Sequence, residues 1–422
     1  MKLSLSRPVS RAVLAVALAL PVAGAGVMVA TPAMAAPAGP DLSKPFLAVG
    51  VPFQTALEKV KKAPSPEGVA DLRAQYEKVL AAATKPDDKF TAGNWGIQLG
   101  SLAKDDALQG KGIQLMVDSG KTPPDLLPKL HFALAQMALQ AKDNAGARKN
   151  LDASIAAGNK EAEPHVWLAE INFEEKQTKA GFDELNKAIE IAGTAAPENW
   201  YRRGLGFAYE SRDYAQAVNF STKLVKAYPV TKSWSAAIAV LRDLGQLPSQ
   251  DTIDLMRLMA RTNSWAEERD YGEFVQAADA RRNPAEVKAV IEAGVAAGKL
   301  DASKTFYAEA LKTATSRIGP DKASLPGFEK DARAANATVG TVSGAGDAFL
   351  SYGESAKAVD LYKIALNKPG VDKPVVLTRL GIAQTDAGDY AGAQATFAQV
   401  EGPRKPMAEL WSLYAAQKAA GK

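Results

Sequence analysis

Residues 380–397 read LGIAQTDAGDYAGAQATF, two short alanine-rich segments joined by the turn sequence Gly388-Asp-Tyr390. Alanine has the highest helix propensity, whereas Gly beside Asp or Asn interrupts helices. This stretch therefore predicts a helix, a tight turn and a second helix.

The same pattern returns along the chain at a nearly constant interval. Near the C-terminus the interval is 35 residues, and it relates Gly346, Gly353, Ala358 and Tyr362 to Gly381, Gly388, Ala393 and Phe397. Further upstream it is 34 residues, and it relates Leu134-Ala135, Leu151 and Ile155 to Leu168-Ala169, Leu185 and Ile189. Such an interval is typical of stacked helical hairpins, and period-two alternation of Val, Ile and Thr is nearly absent. The predicted fold class is all-α.

These residues resemble the tetratricopeptide repeat. The last unit matches it through Leu380-Gly381, Gly388-Asp-Tyr390, Ala393 and Phe397, and the preceding unit through Gly346, Phe349, Gly353, Ala358, Tyr362 and Ala365-Leu366. The resemblance is specific over 339–401, suggestive over 128–229 and weak over 53–127 and 231–318. It implies an α-solenoid of stacked antiparallel helix hairpins, with eight to ten hairpins in the chain and with Tyr362 and Phe397 packed between successive hairpins.

Some positions depart from the repeat pattern. Gln384 replaces the usual aromatic residue of the first helix, and the units at 128–194 lack the turn Gly-x-Tyr. Around 199–229, Tyr214, Ala217 and Pro229 keep register, while Trp200 and Gly206 are a residue or two out of step. We interpret these units as degenerate repeats.

The N-terminal 35 residues have the features of an export signal. Lys2, Arg7 and Arg11 precede a stretch from Ala12 to Pro40 without charge, and Ala33-Met-Ala35 is a small-x-small cleavage pattern. We expect cleavage near Ala35, export by the Sec route, and a periplasmic or secreted protein that has no membrane span. The alternative is an uncleaved membrane anchor.

The remaining chain divides by composition. Residues 36–51, rich in Pro, are expected to be extended or disordered, 52–318 to form degenerate repeats, and 339–420 to form C-terminal repeats closed by a capping helix at Glu409–Lys418. The stretch 316–327 contains Pro320 and Pro326 and is the expected boundary, because proline breaks helices.

Composition excludes several functions. The chain has no cysteine and two histidines, His131 and His165, so thiolate chemistry and a His-rich metal centre are excluded, and we expect no cofactor. The formal charge of +4 falls to about +1 without residues 1–35, which argues against nucleic acid as a partner. Gly344-Ala-Gly-Asp347 resembles a phosphate-binding signature of sugar kinases, but the repeat register already explains Gly346 and no α/β pattern surrounds it.

The prediction for function is a non-enzymatic scaffold of the bacterial cell envelope that binds a peptide or protein segment. By analogy with tetratricopeptide repeats, the first helix of each hairpin lines a concave binding face, where we place Phe132, Gln136, Glu170, Phe173, Arg202 and Tyr209. A competing interpretation packs Phe132 and Phe173 between hairpins. The alternatives for function are a helical domain of a peptidoglycan-acting enzyme and a glycan- or solute-binding periplasmic protein.

Overall fold

The structure is a computed structural model that describes residues 39–245, 247 and 249–421, which are helical and contain no strand. The predicted export signal and its cleavage site lie outside these residues. The helices are α1 (Lys44–Lys62), α2 (Pro66–Ala82), α3 (Pro86–Ala103), α4 (Asp106–Asp118), α5 (Leu127–Gln140), α6 (Asn144–Ala156), α7 (Glu163–Glu174), α8 (Thr178–Ala192), α9 (Glu198–Glu210), α10 (Tyr214–Ala227), α11 (Thr231–Leu244), α12 (Ser249–Arg261), α13 (Glu268–Ala278), α14 (Pro284–Ala296), α15 (Thr305–Ala332), α16 (Val339–Ser351), α17 (Ser355–Ala365), α18 (Lys373–Asp386), α19 (Tyr390–Phe397) and α20 (Lys405–Ala419). Within the described ranges, no helix combines the length and the hydropathy that crossing a bilayer requires.

The chain divides between Gly193 and Thr194 into two compact units. Unit 1 contains the hairpins α1/α2, α3/α4, α5/α6 and α7/α8, and unit 2 contains α9/α10, α11/α12, α13/α14, α16/α17 and α18/α19. Helices α15 and α20 lie outside this pairing. In each unit successive hairpins stack in chain order, as expected for tetratricopeptide-like repeats, so the predicted fold class is confirmed.

The turn inside most of the hairpins, though not inside α1/α2, has one left-handed residue. Gly388 has this conformation with φ of 84°, and Lys142 and Lys176 adopt it at φ of 61° in the units that lack the turn glycine. The next residue then bonds back to the first helix, as Asp143 N–H does to the carbonyl of Ala138 at 2.8 Å. Lysine therefore replaces glycine at a cost in backbone strain and keeps the same turn.

The small residues of the first helices admit aromatic rings from the second helices. A Cβ atom added at Gly381 would lie 2.5 Å from the Phe397 ring, and one at Gly346 would lie 2.8 Å from the Tyr362 ring. Both rings are buried. The expectation that these glycines permit close helix contact is confirmed, because only glycine leaves room for a ring pressed against the helix backbone. The rings themselves lie against the first helix of their own hairpin, whereas they were expected between successive hairpins.

In the degenerate unit around 199–229, the glycine that packs against an aromatic ring is Gly204 and not Gly206, the glycine that we compared with the repeat pattern. Gly204 faces the Phe220 ring, with the 16-residue separation that also relates Gly381 to Phe397. A Cβ atom at Gly206 would meet nothing within 4 Å. The unit is therefore in register through Gly204, two residues before Gly206.

The expectation of an extended or disordered segment over 36–51 was wrong from Lys44 onwards. Helix α1 begins there, and the Ser43 side chain accepts a hydrogen bond from the N–H of Phe46 at its start. Phe46 and Phe53 are buried against Trp95, with ring centroids 5.6 and 5.4 Å away. The burial of these aromatic rings outweighs the local preference of the proline-rich sequence.

The expected boundary at 316–327 was also wrong. Helix α15 runs through both Pro320 and Pro326, and the chain divides into its two units between Gly193 and Thr194 instead. Tyr307, Leu325 and Ala332 are buried on one stripe of this helix. These contacts hold the segment helical although each proline removes a backbone donor.

Unit 2 closes on itself through its last helix. The predicted capping helix is present as α20, and the indole N–H of Trp411 donates to the carbonyl of Asp254 in α12 at 3.0 Å. Tyr414 packs edge-on against Trp234 of α11, with ring centroids 6.2 Å apart. Gln417 donates to the carbonyl of Val225 in α10 at 3.4 Å. The helix therefore joins the last repeat to α10, α11 and α12 in one hydrophobic core.

Candidate functional site

The first helices of four hairpins share a common register. It is given by the small residue that faces the second helix, namely Ala135 in α5, Ala169 in α7, Gly346 in α16 and Gly381 in α18. We compare the residues that lie three positions before this small residue, one position after it and four positions after it. Along the helix these three residues are spaced by four positions and then by three. They therefore lie on one side of the first helix and can be compared between hairpins.

In unit 1 this side of α5 and α7 is largely half-buried. Phe132, Gln136 and Leu139 are partly exposed on α5, as are Val166 and Glu170 on α7. Phe132 also packs against the local core of α5, α6 and α7. The structure thus brings three of the predicted binding residues, Phe132, Gln136 and Glu170, to equivalent faces of neighbouring first helices.

Phe173 is not part of this open face, and its assignment there was wrong. Its side chain is 5% exposed and meets Phe182 of α8 edge-on, with ring centroids 5.3 Å apart. The ring also fills the space beside Gly181, where a Cβ atom would lie 2.5 Å away. Phe173 is therefore buried, as the competing interpretation required, but against α8 of its own hairpin and not between hairpins as that interpretation had it.

The other two predicted residues belong to α9 of unit 2. Arg202 pairs with Glu198 one turn earlier at 2.6 Å. Tyr209 is 40% exposed and its hydroxyl donates to the Asp243 carboxylate of α11 at 2.7 Å. This hydrogen bond raises the pKa of Tyr209. The six predicted residues therefore fall on two separate units.

The equivalent face of α18 in unit 2 is fully covered. Thr378, Ile382 and Thr385 occupy the register positions of Phe132, Gln136 and Leu139, and all three are buried. Helix α12 lies against α18, and the Arg404 side chain donates to the Thr378 hydroxyl at 3.2 Å. The face that is half-buried on α5 and α7 is thus covered on α18 by helices of the chain itself, whereas Ser343 and Asp347 at the matching positions of α16 are partly exposed.

Helix α12 is buried on nearly every side. From Asp251 to Met259, every residue except Thr252 is buried, including the charged Asp254 and Arg257. A helix that is apolar around most of its circumference belongs in a protein interior. The repeat pattern does not mark this helix as buried, although the density of Ile, Leu and Met over 253–259 is a sequence signal for its burial.

The buried charges of α12 are paired with charges from other helices. Asp254 contacts Arg257 at 2.9 Å and Arg379 of α18 at 3.2 Å, and it also pairs with Arg404. Burial alone would raise the pKa of Asp254, but these three guanidinium groups lower it to about 2. The carboxylate is therefore ionised at neutral pH.

The remaining charges complete the network. Arg257 reaches Glu286 of α14 at 2.8 Å, and Asp251 pairs with Arg404. Burial opposes ionisation of Glu286, yet the pKa of this carboxyl is lowered by Arg257. For Asp251 burial outweighs Arg404 and raises the pKa. Each buried cation thus has at least one carboxylate, as the low dielectric of an interior requires.

The segment that resembles a kinase phosphate signature is structural. Residues 344–347 lie within α16, where Gly346 receives the Tyr362 ring. The Asp347 carboxylate accepts a hydrogen bond from the Tyr362 hydroxyl at 2.6 Å and pairs with Arg379 at 2.8 Å. The repeat register and the ion network account for both Gly346 and Asp347.

The two histidines also have partners in the array. His165 is 3% exposed, with Nδ1 2.6 Å from the Glu184 carboxylate, and His131 Nδ1 lies 3.2 Å from the Asn150 side-chain oxygen. These are equivalent contacts in adjacent hairpins, because both partners follow 19 residues later. In the part of the chain that the structure covers, no group of His and carboxylate side chains could hold a metal ion.

No protein-family model matches the chain, and no curated protein sequence matches it. Among solved structures, Naa15/Naa10 bound to HypK-THB is similar at 14% identity and a TM-score of 0.35, over 89% of this chain and 72% of that one. The TPR domain of P58(IPK) is similar at 13% identity and a TM-score of 0.23, over 80% of this chain and 99% of that one. The APC/C hetero-tetramer Cut9–Hcn1 is similar at 13% identity and a TM-score of 0.20, over 89% and 84%.

Proposed function

We propose that this protein is a non-enzymatic protein-interaction scaffold that binds a helical or extended segment of a partner on the first-helix face of unit 1. The face is defined by Phe132, Gln136 and Leu139 of α5 and by Val166 and Glu170 of α7. It combines apolar side chains with polar ones at the same positions of adjacent hairpins. Such a surface suits an elongated partner that makes contacts with several repeats in succession.

The single observation that supports this proposal is the contrast between α18 of unit 2 and the first helices α5 and α7 of unit 1. In unit 2 the equivalent positions Thr378, Ile382 and Thr385 of α18 are buried beneath α12 and α20. The framework therefore holds a helix on this face when one is supplied within the chain. On α5 and α7 of unit 1 the same positions are half-buried, except for Phe173, so part of each remaining side chain is available to a partner.

The site of action that we propose is the bacterial cell envelope. The support is the N-terminal sequence, with its basic start, its uncharged stretch and Ala33-Met-Ala35. The absence of cysteine also suits an oxidising compartment. Detection of a shortened chain beginning near Ala36 in the envelope fraction is the expected result, and a full-length chain confined to the cytoplasm would contradict export.

The binding face can be tested by cross-linking in living cells. A photoreactive amino acid replaces Gln136, which is partly exposed on the proposed face, or Gln114 of α4, which is exposed on a second helix as a matched control. We expect a discrete cross-linked partner from position 136 and not from position 114. A further variant, Phe132→Ala, should reduce the yield from position 136. Equal patterns from the two positions would contradict a binding role for this face.

A further inference from the structure

The charged residues of α12 form one recognition stripe. Asp251, Asp254, Arg257 and Arg261 follow each other at intervals of three, three and four residues. On a helix these spacings place all four on one side. The remaining positions are dominated by buried apolar residues such as Leu255. The stripe therefore presents two carboxylates followed by two guanidinium groups along one edge of an apolar helix.

A set of opposite charges from other helices meets this stripe. We name Glu286, Arg379, Asp386, Arg404 and Trp411 the α12 seat. Arg379 and Arg404 receive the two carboxylates, whereas Glu286 receives Arg257. Asp386 pairs with Arg261 at 2.7 Å, and the Trp411 indole donates to a carbonyl of α12 at 3.0 Å. The seat comes from α14, α18, α20 and the residue before α20, which lie distant from α12 in the sequence.

Paired charges of this kind select an occupant more strongly than they stabilise it. Replacing a buried ion pair by apolar side chains is often neutral or stabilising, whereas removing one partner leaves an uncompensated charge. An apolar helix in the α12 seat would leave Arg379 and Arg404 without the Asp254 carboxylate. A helix with the same order of charges would keep every pair. The order of charges along the stripe therefore favours a helix with matching charges over an apolar helix at this position.

We propose that the α12 seat is a helix-recognition site, that α12 is its resident occupant, and that a partner helix with the pattern acid-x-x-acid-x-x-Arg-x-x-x-Arg binds there by displacing α12. This site lies in unit 2 and is independent of the proposed face of unit 1. Because α12 is tethered, it competes at high effective concentration. The partner therefore binds strongly only when α12 is weakened, which makes α12 an autoinhibitory helix.

The test supplies α12 in trans to a chain that lacks one of its charges. The full chain carries Asp254→Ala, which leaves Arg379 and Arg404 short of a carboxylate. The probe is a labelled peptide of residues 251–264, and the matched control is the same peptide with Asp254→Ala. Fluorescence anisotropy should show that the unmodified peptide binds the variant chain at least 10-fold more tightly than the Asp254→Ala peptide does. It should also show weak binding of both peptides to the wild-type chain. Equal affinities of the two peptides for the variant, or binding by neither, would overturn the proposal.

Hydrogen exchange of the wild-type chain tests the proposal even if the variant does not fold. We expect the amides of α12 to exchange through an opening that leaves α16 and α18 protected. Exchange of α12 only together with α16 and α18 would make it an ordinary core helix and refute its displacement. Cross-linking from Gln136 is unaffected by either result, so failure here and failure of the unit 1 face can be told apart.

Discussion

The substitution Asp254→Asn examines the central ion network without changing the size of the side chain. Asp254 is fully buried and contacts Arg257, Arg379 and Arg404. Each guanidinium retains another carboxylate after the substitution, namely Glu286, Asp347 or Asp251. The substitution therefore removes one favourably placed buried charge, and it leaves no guanidinium group without a carboxylate.

Its magnitude follows from the pKa of the carboxyl. The three guanidinium groups overcome burial and lower the pKa of Asp254 from 3.8 to about 2, which corresponds to about 2 kcal/mol of folding free energy at neutral pH. A carboxyl with a lowered pKa stabilises the fold above its unfolded pKa and loses that contribution as pH falls through its folded pKa. The stabilisation should therefore decline below about pH 5 and be mostly lost by pH 2.

The assay compares urea unfolding of the wild-type protein and the Asn variant at several pH values, with hydrogen exchange to assign the change to unit 2. Burial raises the pKa of Asp251, and the Asp254 charge raises it further, so the variant also relieves part of this opposite contribution and the measured difference is that of the coupled pair. We expect the variant to be less stable by about 2 kcal/mol at pH 7 and the difference to shrink as pH falls.

The control is Asp183→Asn, at an exposed side chain that pairs with Lys179 one turn away. An exposed pair of this kind should change stability by at most about 0.5 kcal/mol. If Asp254→Asn behaved like this control at pH 7, or if its effect grew as the solution became more acidic, the electrostatic role assigned to Asp254 would be refuted.

Three further predictions concern the backbone. Lys176→Gly should raise the stability of unit 1 by about 0.5–1 kcal/mol in urea unfolding, because lysine at φ of 61° is strained, whereas Lys187→Gly, in the interior of α8, should lower it by about 1 kcal/mol. Gly381→Ala should cost about 1–3 kcal/mol, because its methyl group would meet an aromatic ring, whereas Gly206→Ala, in open space, should be neutral or stabilising in the same measurement. Pro320→Ala should restore a helix hydrogen bond in α15 and slow hydrogen exchange there, and unchanged exchange would contradict the strain argument.

The hairpin register was predictable because it depends on contacts that are close in sequence. Gly381 and Phe397 are separated by a single turn and pack directly, so their recurrence identifies the hairpin. Gly204 shows the limit of this approach. It performs the same role beside Phe220, but other departures in that unit drew attention to Gly206 instead.

Other features depended on burial that a local pattern does not contain. Residues 44–51 include Pro45, one of the prolines that suggested extended chain, yet Phe46 is buried and holds the segment in α1. Phe173 was assigned to an exposed face by helix phase alone. The turn before α8 directs Phe182 against it, and that contact decides its position.

The most distant contacts also explain why the binding prediction needed correction. Asp254 meets Arg379 and Arg404 across 125 and 150 residues, and nothing in the local sequence of α12 specifies those partners. The repeat pattern predicted a face for binding in every hairpin. Because the chain returns to cover that face on α18 of unit 2, we place the binding face in unit 1, where Gln136 and Glu170 remain partly exposed. The same repeat framework therefore carries a first-helix face that is covered by another helix on α18 and partly exposed on α5 and α7. The charge order of α12 is the feature that separates recognition of a specific helix from unspecific burial of apolar surface.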